Sequence, residues 1–379
     1  MEKISALYSQ YVIDGIPQEL SPGEMLDECL VSKDWRDDPA TTEKILDETM
    51  DPQPRNGSFD SWKIRDYLAL TEQAGERDIP VLFAAQYTQI LIARALIDAL
   101  WQEGHFRLGD LTVRADWTWD MSRLGYAAAF YTSAQAASEF LGSLSLRLSS
   151  YGFTEGPRCS LHLSTSVFGE EYDDEDFPVE MPYRTAHPTF LPIRKHACAL
   201  IDDPDSWLVY VPMESCEYRL GGSLLSELLQ QGSDVAPAPS DPDYFIDCYE
   251  VLREMVEDNV VIAGATVGEG GMLTTLKRMA SAAGGKVGAR ININELMNSC
   301  REQDPVRILF SEVPGVIIQI RDEDYDYLDA EFLLQDVVFY PLGHPVHGKN
   351  EIKVEATGKS GIQSILESII RSQSSEGED

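Results

Sequence analysis

A chain of 379 residues with 64 Asp and Glu against 30 Lys and Arg carries a formal net charge of −34. Such a surface repels phosphate backbones and anionic lipid, which excludes nucleic acid and membrane as direct partners and leaves a basic protein or a metal cation as the better match. A hydrophobic fraction of 43% builds full cores and excludes a disordered chain, over a length that suits two or three domains.

Residues 1–65 form an acidic, proline-containing extension, with a turn signal at Met50–Gly57 and short helices expected on either side. From Asp78 the pattern changes. Val81–Trp101 has apolar residues at helical spacing, Leu111–Trp117 alternates like a strand, and Ala-rich Tyr126–Leu148 is helical, with a stop expected at Tyr151-Gly152. Cys159–Val167 alternates again, Glu170–Asp176 is an acidic surface loop, and Pro188–Ile201 and Trp207–Pro212 are expected strands. The pair Trp117 and Trp119 is expected in the core.

A second unit starts near Leu220. Gly221-Gly222-Ser223 leads into a helix Leu224–Gln231, a proline-rich start leads into the amphipathic helix Tyr244–Asp258, and Val260–Ala265 is a short buried strand. Glu269-Gly270-Gly271 opens a helix Met272–Ala283. Lys286–Ile293 is a strand, Val306–Phe310 a short helix, Val316–Ile320 a strand and Asp324–Leu334 a helix. Val337–Tyr340 and Ile352–Glu355 are further strands. The pattern gives an α/β (α+β) protein with domains 66–215 and 216–371 and a disordered tail 372–379.

Six scattered cysteines (Cys29, Cys159, Cys198, Cys216, Cys248 and Cys300) include no CxxC pair and no His at zinc-ligand spacing. They read as reduced, mostly buried thiols of a cytosol-like compartment. Met1–Gln18 has no signal-peptide core, and no apolar run reaches the roughly 18 residues of a membrane span, so a soluble cytoplasmic protein is expected. His344 and His347, three apart in a Pro/Gly loop, lack a nearby third metal ligand, and His187 and His196 flank a strand in a structural setting.

Gly75–Pro80, Val113–Trp117, Arg219-Leu220-Gly221-Gly222-Ser223 and Leu309-Phe310-Ser311-Glu312 occur in an order that resembles the carboxy-terminal synthetase half of the large phosphoribosylformylglycinamidine synthases, over about Gly75–Val354. The resemblance implies an AIR-synthetase-like fold. In it the sheet of the amino-terminal domain pairs with a second copy into a barrel, and the carboxy-terminal domain is an α/β sandwich. With one copy in the sequence, a homodimer is expected to supply the other.

The resemblance also implies ATP-dependent amide activation followed by displacement with ammonia. That chemistry needs carboxylates for Mg²⁺ and close backbone amides for phosphates. It points to Arg158, Ser160, Gly221, Gly222, Ser223, Gly270 and Gly271 as nucleotide or phosphate contacts and to Asp116, Glu269 and Glu312 as metal ligands, with ATP or ADP and Mg²⁺ as the cofactors. Several charged family positions are changed. Thr266 stands at an aspartate, Ala265 at a histidine, Cys159 at an aspartate and Val313 at a glutamate, while Asp116 stands at an asparagine. A threonine does not hold Mg²⁺ as a carboxylate does. No residue pattern for a glutaminase is visible, and none of the cysteines has a nucleophile-elbow context.

Two readings follow. One is a catalytically degenerate homodimer acting as scaffold, nucleotide-binding or regulatory protein with a protein partner. The other is an active ATP-dependent synthase subunit of purine biosynthesis that takes ammonia from elsewhere.

Overall fold

A computed structural model describes residues 6–31, 77–102, 104–167, 198–229, 235–348 and 350–356, together with the backbone of strands at 45–48 and 189–190. The acidic loop Glu170–Asp176, His187, His196 and the tail 372–379 lie outside the described residues. The chain divides into two compact units. One is built mainly from residues 1–53, 76–99 and 106–192, the other mainly from 193–379 with 100–105.

The first unit begins with a small sheet rather than with the expected helices alone. Strands β1 (Gln10–Ile13), β2 (Ile16–Pro17) and β3 (Ile45–Glu48) run in the order β2-β1-β3. Helix α1 (Pro22–Glu28) starts at a capping box, in which Ser21 accepts from the Glu24 N–H while the Glu24 carboxylate accepts from the Ser21 N–H at 2.7 Å. This arrangement satisfies two of the orphan donors of the first turn.

Helix α2 (Ala84–Asp98) and helix α3 (Tyr126–Ser143) pack on each other beside strand β4 (Leu111–Trp119). Strands β5 (Arg147–Glu155), β6 (Ser160–Val167) and β7 (Thr189–Phe190) complete a sheet ordered β5-β4-β6-β7. Alternation along β4 buries Leu111, Val113, Ala115, Trp117 and Trp119 on one face. Both tryptophans are core residues, and each indole N–H finds an acceptor: Trp117 donates to Ser133 Oγ at 3.0 Å and Trp119 to the Tyr126 carbonyl at 2.7 Å. The opposite face of β4 carries Thr112, Arg114, Asp116 and Thr118. Across from them in register stand Ser166, Ser164, His162 and Ser160 of β6, a face made of polar side chains.

Helix α3 is shorter than its sequence suggested. It ends at Ser143, and Ser145 takes a left-handed conformation (φ 57°) while the Leu146 N–H returns to the Leu141 carbonyl at 2.8 Å. That turn releases the chain into β5 four residues after the helix, so Tyr151 and Gly152 lie in mid-strand. The run Val81–Trp101 reaches 21 helical residues with mean hydropathy 1.2, which meets the length and composition of a membrane span, contrary to expectation. Half of that window is buried, and its helix α2 packs against α3. There Thr88 and Ser133 hydroxyls meet at 2.6 Å in the buried seam.

In the second unit, strands β8 (Trp207–Pro212), β9 (Val261–Thr266), β10 (Val287–Asn292), β11 (Gly315–Ile320), β12 (Tyr340–His347) and β13 (Ile352–Glu355) form a sheet ordered β13-β10-β12-β8-β11-β9. All neighbours are antiparallel except β10 and β13. Helices α4 (Leu224–Leu229), α5 (Pro242–Glu257), α6 (Gly271–Ala282), α7 (Asn294–Ser299), α8 (Pro305–Phe310) and α9 (Tyr325–Leu334) accompany it. Strand β11 is buried along its whole length, the pattern of a strand covered on both faces. Helix α6 places Met272, Leu273, Leu276, Met279 and Ala280 in one core cluster with Ile308, Leu309 and Phe310 of α8 and with Leu208, Ile291 and Ile317 of the sheet.

Strand β12 begins at Tyr340, where the expected strand 337–340 ends, and it contains the segment read as a Pro/Gly loop. His344 and His347 therefore sit in a strand. A register shift against β8 between Pro341 and Gly343 accommodates Pro341, Pro345 stands in register opposite Ala289 of β10, and Gly343 (φ 146°) allows the Arg290 carbonyl to approach where a Cβ would stand. His344 Nδ1 contacts the Ser206 carbonyl at 2.9 Å and its ring packs against Trp207 at a 50° tilt, while His347 Nδ1 contacts Asp202 at 2.5 Å. Residues 198–201, expected as strand, are irregular, and α7 had no counterpart in the sequence reading. Of the six cysteines, Cys29, Cys159 and Cys248 are buried, Cys198 and Cys216 half-buried and Cys300 exposed.

Candidate functional site

The second unit brings together three motifs that are far apart in sequence, and the buried Glu312 is the residue that joins them. It lies in the turn between α8 and β11 with its side chain 0% exposed. Its Oε1 accepts from the Leu224 N–H at 2.9 Å and from the Gly270 N–H at 3.0 Å. One carboxylate oxygen thus ties the Gly221-Gly222-Ser223 turn to the Gly268–Gly271 turn. Charge-assisted bonds to backbone N–H groups are among the stronger hydrogen bonds available to a protein.

Each turn is also closed by its own side chains. The Gly221 N–H donates to the Val235 carbonyl at 2.8 Å, and the Ser223 N–H to the Leu220 carbonyl at 2.9 Å. Ser223 Oγ donates to the same Leu220 oxygen and accepts from the Ser226 N–H. In the second turn Thr275 Oγ accepts from the Gly268 N–H at 3.2 Å and donates to the Gly271 carbonyl, while the Gly271 N–H donates to the Gly268 carbonyl. Ser311 Oγ donates to the Arg219 carbonyl at 2.7 Å and accepts from the Arg219 N–H at 3.1 Å.

Glycine is required at Gly271 for two reasons. Its φ is +73°, and a Cβ would lie 2.7 Å from the carbonyl oxygens of Leu309 and Ser311. Gly270 also has positive φ, 81°, and starts α6 without a side-chain cap. Glu269 is half-buried in this turn, and Arg278 Nη1 lies 3.3 Å from the position a Gly268 Cβ would occupy, so a guanidinium borders the same turn.

The remaining candidates belong to the first unit. Asp116 accepts from Arg114 Nε at 2.7 Å, and its Oδ1 lies 2.5 Å from where a Gly152 Cβ would be, so the carboxylate lies over the neighbouring strand. Arg158 is exposed in the β5–β6 turn, with Nε donating to Asp78 at 2.7 Å. Ser160 opens β6 opposite Thr118. Among the described residues, no three His, Cys, Asp or Glu side chains gather as a metal-holding group.

Thr266, Val313 and Cys159, which the resemblance sets against charged family positions, are built into the packing. Thr266 Oγ accepts from the Trp101 indole N–H at 2.9 Å, and the Trp101 ring occupies the space where a Gly264 Cβ would be. Val313 is 1% exposed. Cys159 is 3% exposed. Burial pushes its thiol up to about 11, so it stays protonated at neutral pH.

Sequence reading missed Glu214, a carboxyl just beyond the end of β8. It is 2% exposed, its Oε2 accepts from the Ser240 N–H at 3.2 Å, and its Oε1 has no hydrogen-bond partner. Burial is the main cause that lifts its pKa to about 7, against the opposing pull of the Ser240, Asp241 and Ser215 backbone N–H groups. A single acid directly after the apolar run Trp207–Met213 was the signal available for it.

Residues 206–351 match the family model "AIR synthase related protein, C-terminal domain". Thermotoga maritima PurL, solved as a complex with FGAR, has the same fold, with a TM-score of 0.52, 12% identity and coverage of 74% of this chain and 42% of that one. The chain therefore has an AIR-synthetase-like fold. Within that class it is similar to the phosphoribosylformylglycinamidine synthases. It is 23% identical to the human enzyme over 240 residues, which is 62% of this chain and 17% of the relative. It is 23% identical to the Dictyostelium discoideum enzyme over 257 residues, 65% of this chain and 18% of the relative. The chain thus spans less than a fifth of the length of these relatives.

Proposed function

We propose that this chain is a catalytically degenerate, phosphoribosylformylglycinamidine synthase-like protein that acts as a homodimeric scaffold or regulatory partner. The observation that carries the reading is the use already made of the candidate ligands. Glu312 is bonded to two backbone N–H groups, Asp116 is paired with Arg114, and Thr266, at a position where the resemblance implies an aspartate, is bonded by Trp101. Mg²⁺ takes anionic oxygens with lone pairs to spare. Engagement of these oxygens in each unit supports the degenerate reading, and no phosphoryl-transfer step is assigned to them.

The homodimer follows from the resemblance, and the sheet face of the first unit with Arg114, Asp116, His162 and Ser164 is the polar face that a second copy would meet. A second reading is an active ATP-dependent synthase subunit supplied with ammonia by another chain. It is favoured by the Glu269-Gly270-Gly271 turn beside Arg278.

Calorimetry with ATP and ADP, with and without Mg²⁺, separates the two readings when followed by turnover assays with formylglycinamide-type amides and ammonia. The degenerate reading expects no Mg²⁺-dependent turnover, and light scattering is expected to give a dimer at micromolar concentration. Turnover that falls on Glu269→Gln would establish the second reading, and a monomer would remove the dimer.

A further inference from the structure

Helix α9 is held to its unit by a narrow stripe. Leu328 and Phe332, four residues apart, are 0% exposed. Tyr325 contacts Trp207 (ring centroids 5.2 Å) and Phe339 (6.1 Å), and Phe332 meets Phe339 at 5.4 Å. At about 100° per residue, the opposite face carries Tyr327, Ala330 and Leu334, with Leu333 beside them. Leu333 is 77% exposed, Leu334 75% and Tyr327 42%, and Val338 just past the helix is 45% exposed. Single exposed apolar side chains are ordinary on protein surfaces, whereas adjacent ones at i, i+3 and i+7 on a solvent face form a contact surface.

The rim of this stripe is of one sign. Residues 322–348 contain seven acidic residues (Asp322, Glu323, Asp324, Asp326, Asp329, Glu331 and Asp336) and no Lys or Arg. Asp258, at the end of α5, accepts from the Tyr327 hydroxyl at 3.1 Å and adds to the same rim. The nearby Arg253 is taken up by Glu250, Glu254 and Glu257, and Arg321 pairs with Asp324, so neither offsets the field around the leucines.

We propose that this face of α9 docks a cationic amphipathic helix of a partner protein, with leucine-type side chains on the Tyr327–Leu334 stripe and lysines or arginines against Asp326, Asp329 and Glu331. The apolar stripe supplies the contact area, and the one-signed rim selects the charge of the occupant and speeds its approach. The inference does not depend on whether synthase chemistry has been lost.

The test uses the full-length protein and a fluorescent Leu/Lys peptide with leucines at i, i+3, i+4 and i+7, read by anisotropy at low and physiological salt. The peptide is expected to bind, and the double substitution Leu333→Ser, Leu334→Ser is expected to weaken it about tenfold or more. The triple substitution Asp326→Asn, Asp329→Asn, Glu331→Gln is expected to weaken binding and flatten its salt dependence. The proposal is overturned by any one of four results: no binding, undiminished binding to the Leu333→Ser, Leu334→Ser variant, equal binding of a Leu/Glu peptide, or loss of the protein's own dimer in that variant, which would assign the stripe to a second copy.

Discussion

Replacing Glu214 with Gln isolates the effect of one buried carboxyl on stability. The group is 2% exposed, and one of its oxygens lacks a hydrogen-bond partner, so the charged form loses hydration that the Ser240, Asp241 and Ser215 N–H groups replace only in part. Its pKa rises from 4.5 to about 7 in the folded chain, a difference of 7 − 4.5 = 2.5. At 1.36 kcal/mol for each pK unit, this amounts to about 3 kcal/mol. The sign follows from proton binding. Below pH 4.5 both states hold the proton and folding carries no penalty from this group. Between 4.5 and 7 the unfolded chain releases the proton while the folded chain keeps it, so stability falls as pH rises, and above 7 the loss levels off. Glu214→Gln keeps the shape and removes the titration. Urea unfolding of both proteins from pH 4.5 to 8.5 should show the variant's advantage growing from near zero to about 3 kcal/mol. An advantage that does not change with pH would refute the argument, because it would mean that the carboxyl is hydrated or ionised throughout.

Glu312→Ala leaves the Leu224 and Gly270 N–H groups without their shared acceptor in a buried setting, which is expected to cost about 2–5 kcal/mol in urea unfolding; a cost below about 1 would show that the two turns hold themselves. Gly271→Ala combines a left-handed backbone with a Cβ 2.7 Å from two carbonyl oxygens and is expected to lower stability by about 2–4 kcal/mol, whereas the same change at exposed Gly109, with open space around it, should be nearly neutral. In maleimide labelling mapped by mass spectrometry, exposed Cys300 should react before Cys159, whose thiol is buried and raised to about 11; early labelling of Cys159 would contradict its place in the packing.

Much of the fold was legible because its signals are local. Alternation in Leu111–Trp117, the continuous apolar run Trp207–Pro212 and the glycine pair before Met272 fix conformation over a few residues, and the structure has strands and a helix there. The misplacements came from single backbone events. Ser145 turns left-handed and ends α3 early, although the apolar pattern continues through Leu146 and Leu148 at a spacing that suits helix and strand equally. Pro341, Gly343 and Pro345 look like loop residues, yet they lie in an interior strand, with a register shift against β8 between Pro341 and Gly343.

The site was legible in composition but not in role. The sequence shows that Glu312 is acidic and follows Leu309-Phe310-Ser311, a context that suits a metal ligand as well as it suits a structural carboxylate. What decides between them is the position of two N–H groups, 88 and 42 residues away in the chain. A carboxylate that accepts two buried backbone bonds lowers the free energy of the fold in every state of the protein, so selection for stability alone suffices to keep it whether or not a ligand binds. The glycines follow the same logic, since Gly271 is held by the carbonyls of Leu309 and Ser311 whatever faces the turn. Retained motifs of this kind report the scaffold. The chemistry has to be read from the groups that packing does not require, and Thr266, Cys159 and Val313, set by the resemblance against charged positions, are side chains that packing uses.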